Sequence, residues 1–154
     1  MSETYKELSK NLVAMDGSEL SMNAADYAIA IAKRGGDNTQ IIALHVIHSQ
    51  IKYLHSALIA PTVRETVIEA AKQEAQKWLS KIRQKADENS VKLKTEFIVD
   101  PTSIVEAVVN YAEHEGVDLI VIGSRGLSGF KKLLLGSTAS GVVTYAHCPV
   151  LVVK

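Results

Sequence analysis

The chain has 154 residues, 47% hydrophobic and 22% charged, and its 17 basic side chains balance 17 acidic ones, for a formal net charge of zero. A length of this order buries roughly 68–70% of the surface of its unfolded chain, so one self-sufficient domain over residues 1–154 is expected. The charge balance argues against a nucleic-acid binder whose affinity rests on neutralising phosphates, and no apolar run reaches the ~18 residues that a membrane helix needs.

Cys148 is the only cysteine, which rules out an intrachain disulfide and suits a reducing compartment. The opening MSETYKELSKN is polar and carries no apolar signal core. The expectation is a cytoplasmic protein without membrane or nucleic-acid partners. Weak repulsion between neutral copies also favours self-association.

Leu12–Met15 is a short apolar run stopped by Asp16-Gly17-Ser18, and reads as the first buried strand. From Glu19 to Lys33 the apolar residues Leu20, Ala24, Ala25, Ala28, Ile29 and Ala32 recur at helical spacing. Ser18 is a good N-cap for this helix and Gly35-Gly36 its stop signal. Ile41–Ile47 is again nearly continuous apolar sequence, typical of a strand covered on both faces. The irregular stretch from Ser49 to Ala60 reads as a loop. Pro61 then starts a long helix striped by Val63, Val67, Ala71, Ala75, Trp78, Ile82 and Ala86 and ended by Asp87–Ser90.

Val91–Val99 alternates before turning apolar, as a strand near the sheet edge does. Asp100-Pro101 punctuates, and Ser103 with Glu106 forms a capping box for a helix that runs until Gly116. Asp118–Ile122 is the fourth strand. Ala139, Val142, Val143 and Ala146 suit a short fourth helix, and Pro149–Val153 closes the chain as a fifth strand. Strands alternating with helices along the whole chain imply an α/β domain, a parallel sheet with helices on both faces.

In such sheets ligands bind beyond the carboxyl ends of the strands, where strand order reverses. Two strand ends carry suitable chemistry: Asp16-Gly17-Ser18 after the first, and Gly123-Ser124-Arg125-Gly126 after the fourth. Glycines let backbone approach a ligand closely or take positive φ, and the free amides of a helix N-terminus favour phosphate oxygens. If the two strands are neighbours, phosphates would lie over Gly123, Gly126 and the amides of Gly136, Ser137 and Thr138. Asp16 would then accept from ribose hydroxyls or help position a metal ion.

Established phosphate motifs do not fit. A Walker loop needs Lys before the Ser, where this chain has Gly136, and a dinucleotide fingerprint belongs after the first strand rather than the fourth. The histidines His45, His48, His55, His114 and His147 include no i, i+4 pair and no cysteine partner at zinc-ligand spacing, so no protein-built metal site is expected. No Ser/His/Asp set sits in a nucleophile-elbow context, so no catalytic residue is assigned. Trp78 reads as packing, Cys148 as an inert core thiol, and Lys131 and Lys132 as solvent-facing beside Phe130 and Leu133–Leu135.

The pattern present is G-x2-G-x9-G-[ST], made by Gly123, Gly126, Gly136 and Ser137. With VAMDGSELS, ALHVI, VDLIVIGSRG and the terminal CPVLVV in matching places, the chain resembles the ATP-binding branch of the universal stress protein family over essentially its entire length. The resemblance implies a three-layer α/β/α, Rossmann-like fold of the adenine nucleotide alpha hydrolase type, with four main helices. Its five-stranded parallel sheet would have the order 3-2-1-4-5, which makes strands 1 and 4 adjacent.

It further implies an adenine-nucleotide site. Asp16 lies near ribose and phosphates, Val46 meets the adenine edge, and Gly123, Arg125 and Gly126 pass the ribose and phosphates. Gly136, Ser137 and Thr138 hold the phosphates. Arg125 stands where relatives often carry His and would add a phosphate contact. Met15, where some relatives have a smaller polar residue, alters the adenine pocket.

The implied ligand is ATP, or AMP, ADP or cAMP, with Mg²⁺ carried by the phosphates near Asp16. An apolar edge strand pairs readily with another chain, and in this family the strand corresponding to Val150–Val153 joins two copies, so a homodimer is expected. The resulting reading is an ATP-binding stress-response module with an unnamed regulatory partner and little or no hydrolysis. A slow Mg²⁺-dependent ATPase and a nucleotide-independent dimeric adapter are the alternatives. The segment Leu127–Leu135 would act either as a flap over the phosphates or as a plain connection.

Overall fold

The computed structural model describes residues 5–49, 61–127 and 135–154. Strands β1 (Lys10–Met15), β2 (Gln40–Ile47), β3 (Lys92–Val99), β4 (Leu119–Gly123) and β5 (Val150–Val153) alternate with helices α1 (Glu19–Gly35), α2 (Pro61–Glu88), α3 (Ile104–His114) and α4 (Ser137–Tyr145). All four strand pairings are parallel, and the sheet order is β3-β2-β1-β4-β5, as the family resemblance implies. Strand order therefore reverses between β1 and β4, the point at which an open parallel sheet leaves a crevice.

Side chains alternate across the sheet and sort into two cores. Val13, Met15, Ile41, Ala43, Leu119 and Val121 pack with α1 and α2, against Ala25, Ala28, Ile29, Leu79 and Ile82. Leu12, Ile42, Leu44, Ile120 and Ile122 pack on the other face with Val108, Ala112, Ala139 and Val142 of α3 and α4. The three central strands are thus covered on both sides, which is why their sequences read as unbroken apolar runs.

The starts of α1 and α3 carry the expected N-cap serines. The Ser18 hydroxyl accepts from the Ser21 amide, and the Ser103 hydroxyl from the Glu106 amide, caps of a kind each worth about 1 kcal/mol.

β1 begins two residues before the apolar run because the ladder takes in two polar residues, Lys10 opposite Gln40 and Asn11 between Ile41 and Leu119. Asn11 is the cost of that extension. It is 0% exposed, and neither amide atom has a hydrogen-bond partner among the described residues. Fourteen residues of α2, Pro61–Glu74, contain no buried side chain, although the stripe there suggests a core face. Val63 and Val67 are exposed, and α2 meets the core only from Ala75 onward. The expected loop from Ser49 to Ala60 lies outside the described residues except for Ser49.

At the carboxyl end of β3, Asp100 takes the left-handed conformation, with φ 47°. Its amide donates to Ile47, and its carboxylate accepts from the Ser49 hydroxyl at 2.6 Å, the Ser49 amide at 2.7 Å and Arg64 at 3.2 Å. The Ser49 hydroxyl, followed by the Ser49 amide and Arg64, holds the Asp100 carboxyl below its ordinary range against the opposing effect of burial. This clasp joins the ends of β2 and β3 to the first turn of α2.

Two predictions follow from these buried polar groups. Asn11→Val should raise the unfolding free energy by about 1 kcal/mol by removing an unpaired buried amide, read as a higher urea midpoint at unchanged slope. A lower midpoint would mean that the amide is satisfied. For Asp100, the folded carboxyl lies below the unfolded reference of about 3.9, so its stabilisation is complete above that value and is lost as pH falls through the folded one. Between about pH 5 and about pH 2 the parent should therefore lose more stability than Asp100→Asn; parallel acid limbs in urea titrations would contradict the clasp.

Candidate functional site

The crevice between β1 and β4 opens into a cleft of about 210 Å³. Met15, Asp16, Val46, Gly123, Arg125, Gly126, Gly136, Ser137 and Thr138 all line it, so the nine residues singled out from sequence are brought together. They come from four elements and their connections: the ends of β1, β2 and β4, the turns after β1 and β4, and the start of α4.

Asp16 joins the two walls. One carboxylate oxygen accepts from the amide and hydroxyl of Ser18, which shapes the three-residue turn into α1. The other accepts from the Leu127 amide at 3.1 Å, on the far side of the crevice. Gly126 lies against that same oxygen: a Cβ on it would stand 2.5 Å from Asp16 Oδ2. A side chain at 126 would force the Asp16 carboxylate out of this position.

The glycines of the sequence motif act through close approach rather than through special backbone angles. None of Gly123, Gly126 and Gly136 has positive φ; in this region that conformation belongs to Gly17, at φ 80°. A Cβ on Gly123 would stand 3.0 Å from the backbone and Cβ of Leu20, which lets α1 press against the end of β4. The Gly136 amide donates to the Ser124 carbonyl at 2.6 Å, and a Cβ there would come within 3.3 Å of that oxygen. Ser124 is tied in turn to the end of β5 through the Val153 carbonyl.

Gly136 is the N-cap of α4 and provides no side-chain cap. The amides of the first turn, at Ser137, Thr138 and Ala139, thus begin the helix beside the cleft, an electropositive end suited to an anion. Arg125, half-buried, lines the same cleft. Among the described residues no group of three or more His, Cys, Asp or Glu side chains is placed to hold a metal ion.

The opposite part of the cleft is apolar. Ala14, Leu44 and Val46 from the sheet face Ile104 and Val108 of α3 across it, with Ile122 alongside. Of these, only Val46 is a site residue expected from the sequence. The alternation of β2 puts Leu44 and Val46 on one face, the one sequence signal for this wall; Ile104, the first residue of α3, is 36% exposed beside it. A flat aromatic ligand portion fits such walls, with its charged portion directed to α4.

The back of the Asp16 turn is also built. The His45 ring donates from Nδ1 to the Met15 carbonyl at 2.7 Å, and meets Trp78 edge-on at 5.1 Å between centroids. Burial pushes the His45 pKa below its ordinary value, only partly countered by the Met15 hydrogen bond and the Asp16 charge. Trp78 does pack, as expected, yet it packs on Gly17: a Cβ there would lie 2.7 Å from the indole Nε1. Cys148 is half-buried, and burial pushes its thiol pKa up, in keeping with an inert side chain. Lys131 and Lys132, and most of the segment Leu127–Leu135, lie outside the described residues.

Known proteins share both sequence and fold with this chain. The sequence is 37% identical over 150 residues to universal stress protein MJ0531 of Methanocaldococcus jannaschii, covering 97% of this chain and 82% of that protein. It is 35% identical over 147 residues to universal stress protein YxiE of Bacillus subtilis, covering 94% and 98%. The structure superposes on that of MJ0577, also from M. jannaschii, with a TM-score of 0.80 at 28% identity over 97% of each chain. A universal stress protein in complex with cAMP and an Arabidopsis thaliana family protein with AMP bound share the fold, each at a TM-score of 0.66, with 23% and 19% identity. The universal stress protein family model matches residues 8–154. With that match spanning both walls of the crevice, the chain belongs to the universal stress protein family.

Proposed function

We propose that this protein is an adenine-nucleotide-binding regulatory module of the stress response that works as a homodimer, with ATP hydrolysis weak or absent. One observation carries the reading: a single cleft offers an apolar slot at one end and an uncapped helix start at the other, with Asp16 between them. Adenine would enter between Val46 and the Ile104–Val108 face. Ribose would pass Asp16, Gly123 and Gly126, and phosphates would reach Arg125 and the amides of Ser137 and Thr138, passing close over Gly136, whose own amide is bonded to the Ser124 carbonyl. The cAMP- and AMP-bound proteins of the same fold are consistent with that ligand class.

ATP is the favoured ligand because helix dipole and guanidinium both reward added phosphate charge. Mg²⁺ would arrive with the phosphates rather than in a protein-built site. Both Asp16 oxygens already accept hydrogen bonds from the chain, which leaves this carboxylate a positioning role rather than that of a general base. The homodimer reading rests on β5, an edge strand whose Val150, Leu151 and Val152 are only half-buried. The slow ATPase is the second reading, and Arg125 beside the phosphate end is what favours it.

Nucleotide released on denaturing the purified protein, followed by calorimetric titration with ATP, AMP and cAMP, tests the main proposal. At least one adenine nucleotide should bind; with none bound and none released, the reading fails. Gly136→Val should abolish ATP binding with circular dichroism unchanged, because its branched side chain would crowd both Ser124 and the incoming phosphates. Phosphate release over many turnovers with Mg²⁺ would promote the ATPase. Light scattering at micromolar concentration should give twice the 16.7 kDa chain mass; a monomer would remove the dimer.

A further inference from the structure

The turn between β1 and α1 is only Asp16-Gly17-Ser18, yet it places one wall of the cleft. Its shape depends partly on itself, through the Asp16–Ser18 hydrogen bonds and the left-handed Gly17. Two further contacts reach it from the sheet face that carries α1 and α2, away from the apolar slot. His45 holds the carbonyl of Met15, the last residue of β1. The indole of Trp78 lies on Gly17, with Nε1, Cδ1 and Cε2 all within 3.0 Å of the position a Cβ would take.

The two side chains also fix each other. The His45 ring stands at 88° to the Trp78 ring and at 78° to Phe97, 6.1 Å away. The Lys72 ammonium covers Phe97 at 5.8 Å. A carbonyl can only accept, so His45 Nδ1 carries the proton and one tautomer is specified.

We propose that His45 and Trp78 are positioning residues for the nucleotide site, a brace that holds the Asp16 turn in its binding shape from behind. This deepens the adenine-nucleotide reading and rests on it for the ligand alone. The brace explains why Gly17 carries no side chain: left-handed backbone and the indole both exclude one. It also gives α2 a role in the cleft, since Trp78 is the α2 residue lying on the turn.

The test compares Trp78→Ala with Leu79→Ala, its neighbour in sequence, which is 1% exposed within the same core. Both should lower the thermal midpoint. Only Trp78→Ala should weaken calorimetric ATP affinity, by about tenfold, the scale of one well-placed interaction. His45→Leu should weaken it similarly, and His45→Asn, which can still donate to the Met15 carbonyl, should restore most of it. In the nucleotide-free protein, the Ser18 amide, bonded to Asp16, should exchange with deuterium faster in Trp78→Ala than in Leu79→Ala.

Equal affinities for the Trp78→Ala and Leu79→Ala proteins, or equal Ser18 exchange, would overturn the brace. Failure of the parent to bind any adenine nucleotide would instead remove the ligand reading, while the exchange comparison would still decide the brace.

Discussion

The structure around the cleft depends on how closely the ends of β1 and β4 approach. Asp16 spans the gap, bonded to Ser18 on its own side and to Leu127 on the other. The distance is short enough that Gly126 has no room for a Cβ. An ionised carboxylate accepting backbone hydrogen bonds is among the stronger local interactions a chain can make. Here it ties the turn after β1 to the turn after β4. Gly123 against Leu20 and Gly136 against Ser124 extend the same constraint along β4 and into α4. Gly123 and Gly136 mark places where backbones touch, and Gly126 leaves room for the Asp16 carboxylate.

That constraint explains how one cleft comes to have two chemistries. Strand alternation sends Leu44 and Val46 toward α3, where the cleft wall is apolar, and sends His45 to the opposite face, where it meets Trp78. At the strand ends the ladder stops and free amides and glycines take over. The slot is an extension of the core between the sheet and α3–α4, and the anion end is an extension of the helix terminus. Neither needs a dedicated insertion, so a chain of ordinary composition can build both.

Much of this was legible because the informative residues are punctuation. Asp16-Gly17-Ser18, Gly123 to Gly126 and Gly136-Ser137 interrupt apolar runs and mark where backbone must turn or touch. Strand order came from family resemblance, since periodicity does not encode which strands are neighbours. The apolar wall was hidden because Ile104 and Val108 obey the same helical stripe whether they face a ligand slot or a filled core. The exposed start of α2 was misread for the related reason that a stripe does not reveal what, if anything, covers it. Gly17 reads in the sequence as a turn residue alone, because the indole that lies on it belongs to Trp78, 61 positions later in the chain.

The bonding of Asp16 also bears on binding versus turnover. A ribose hydroxyl or metal-bound water reaching this carboxylate would meet oxygens already accepting from Ser18 and Leu127. The Ser18 contacts lie within the turn and can persist, because a carboxylate oxygen accepts more than one hydrogen bond. The Leu127 contact crosses the crevice, so ligand contacts at that oxygen are linked to how tightly the two walls are joined. A carboxylate bonded in this way is held in place by the chain, whereas a general base must take up and release a proton at each cycle. On the proposed reading, occupancy rather than turnover is the quantity this site would control, and the Asp16–Leu127 contact across the β1–β4 crevice is where a bound ligand would meet the fold.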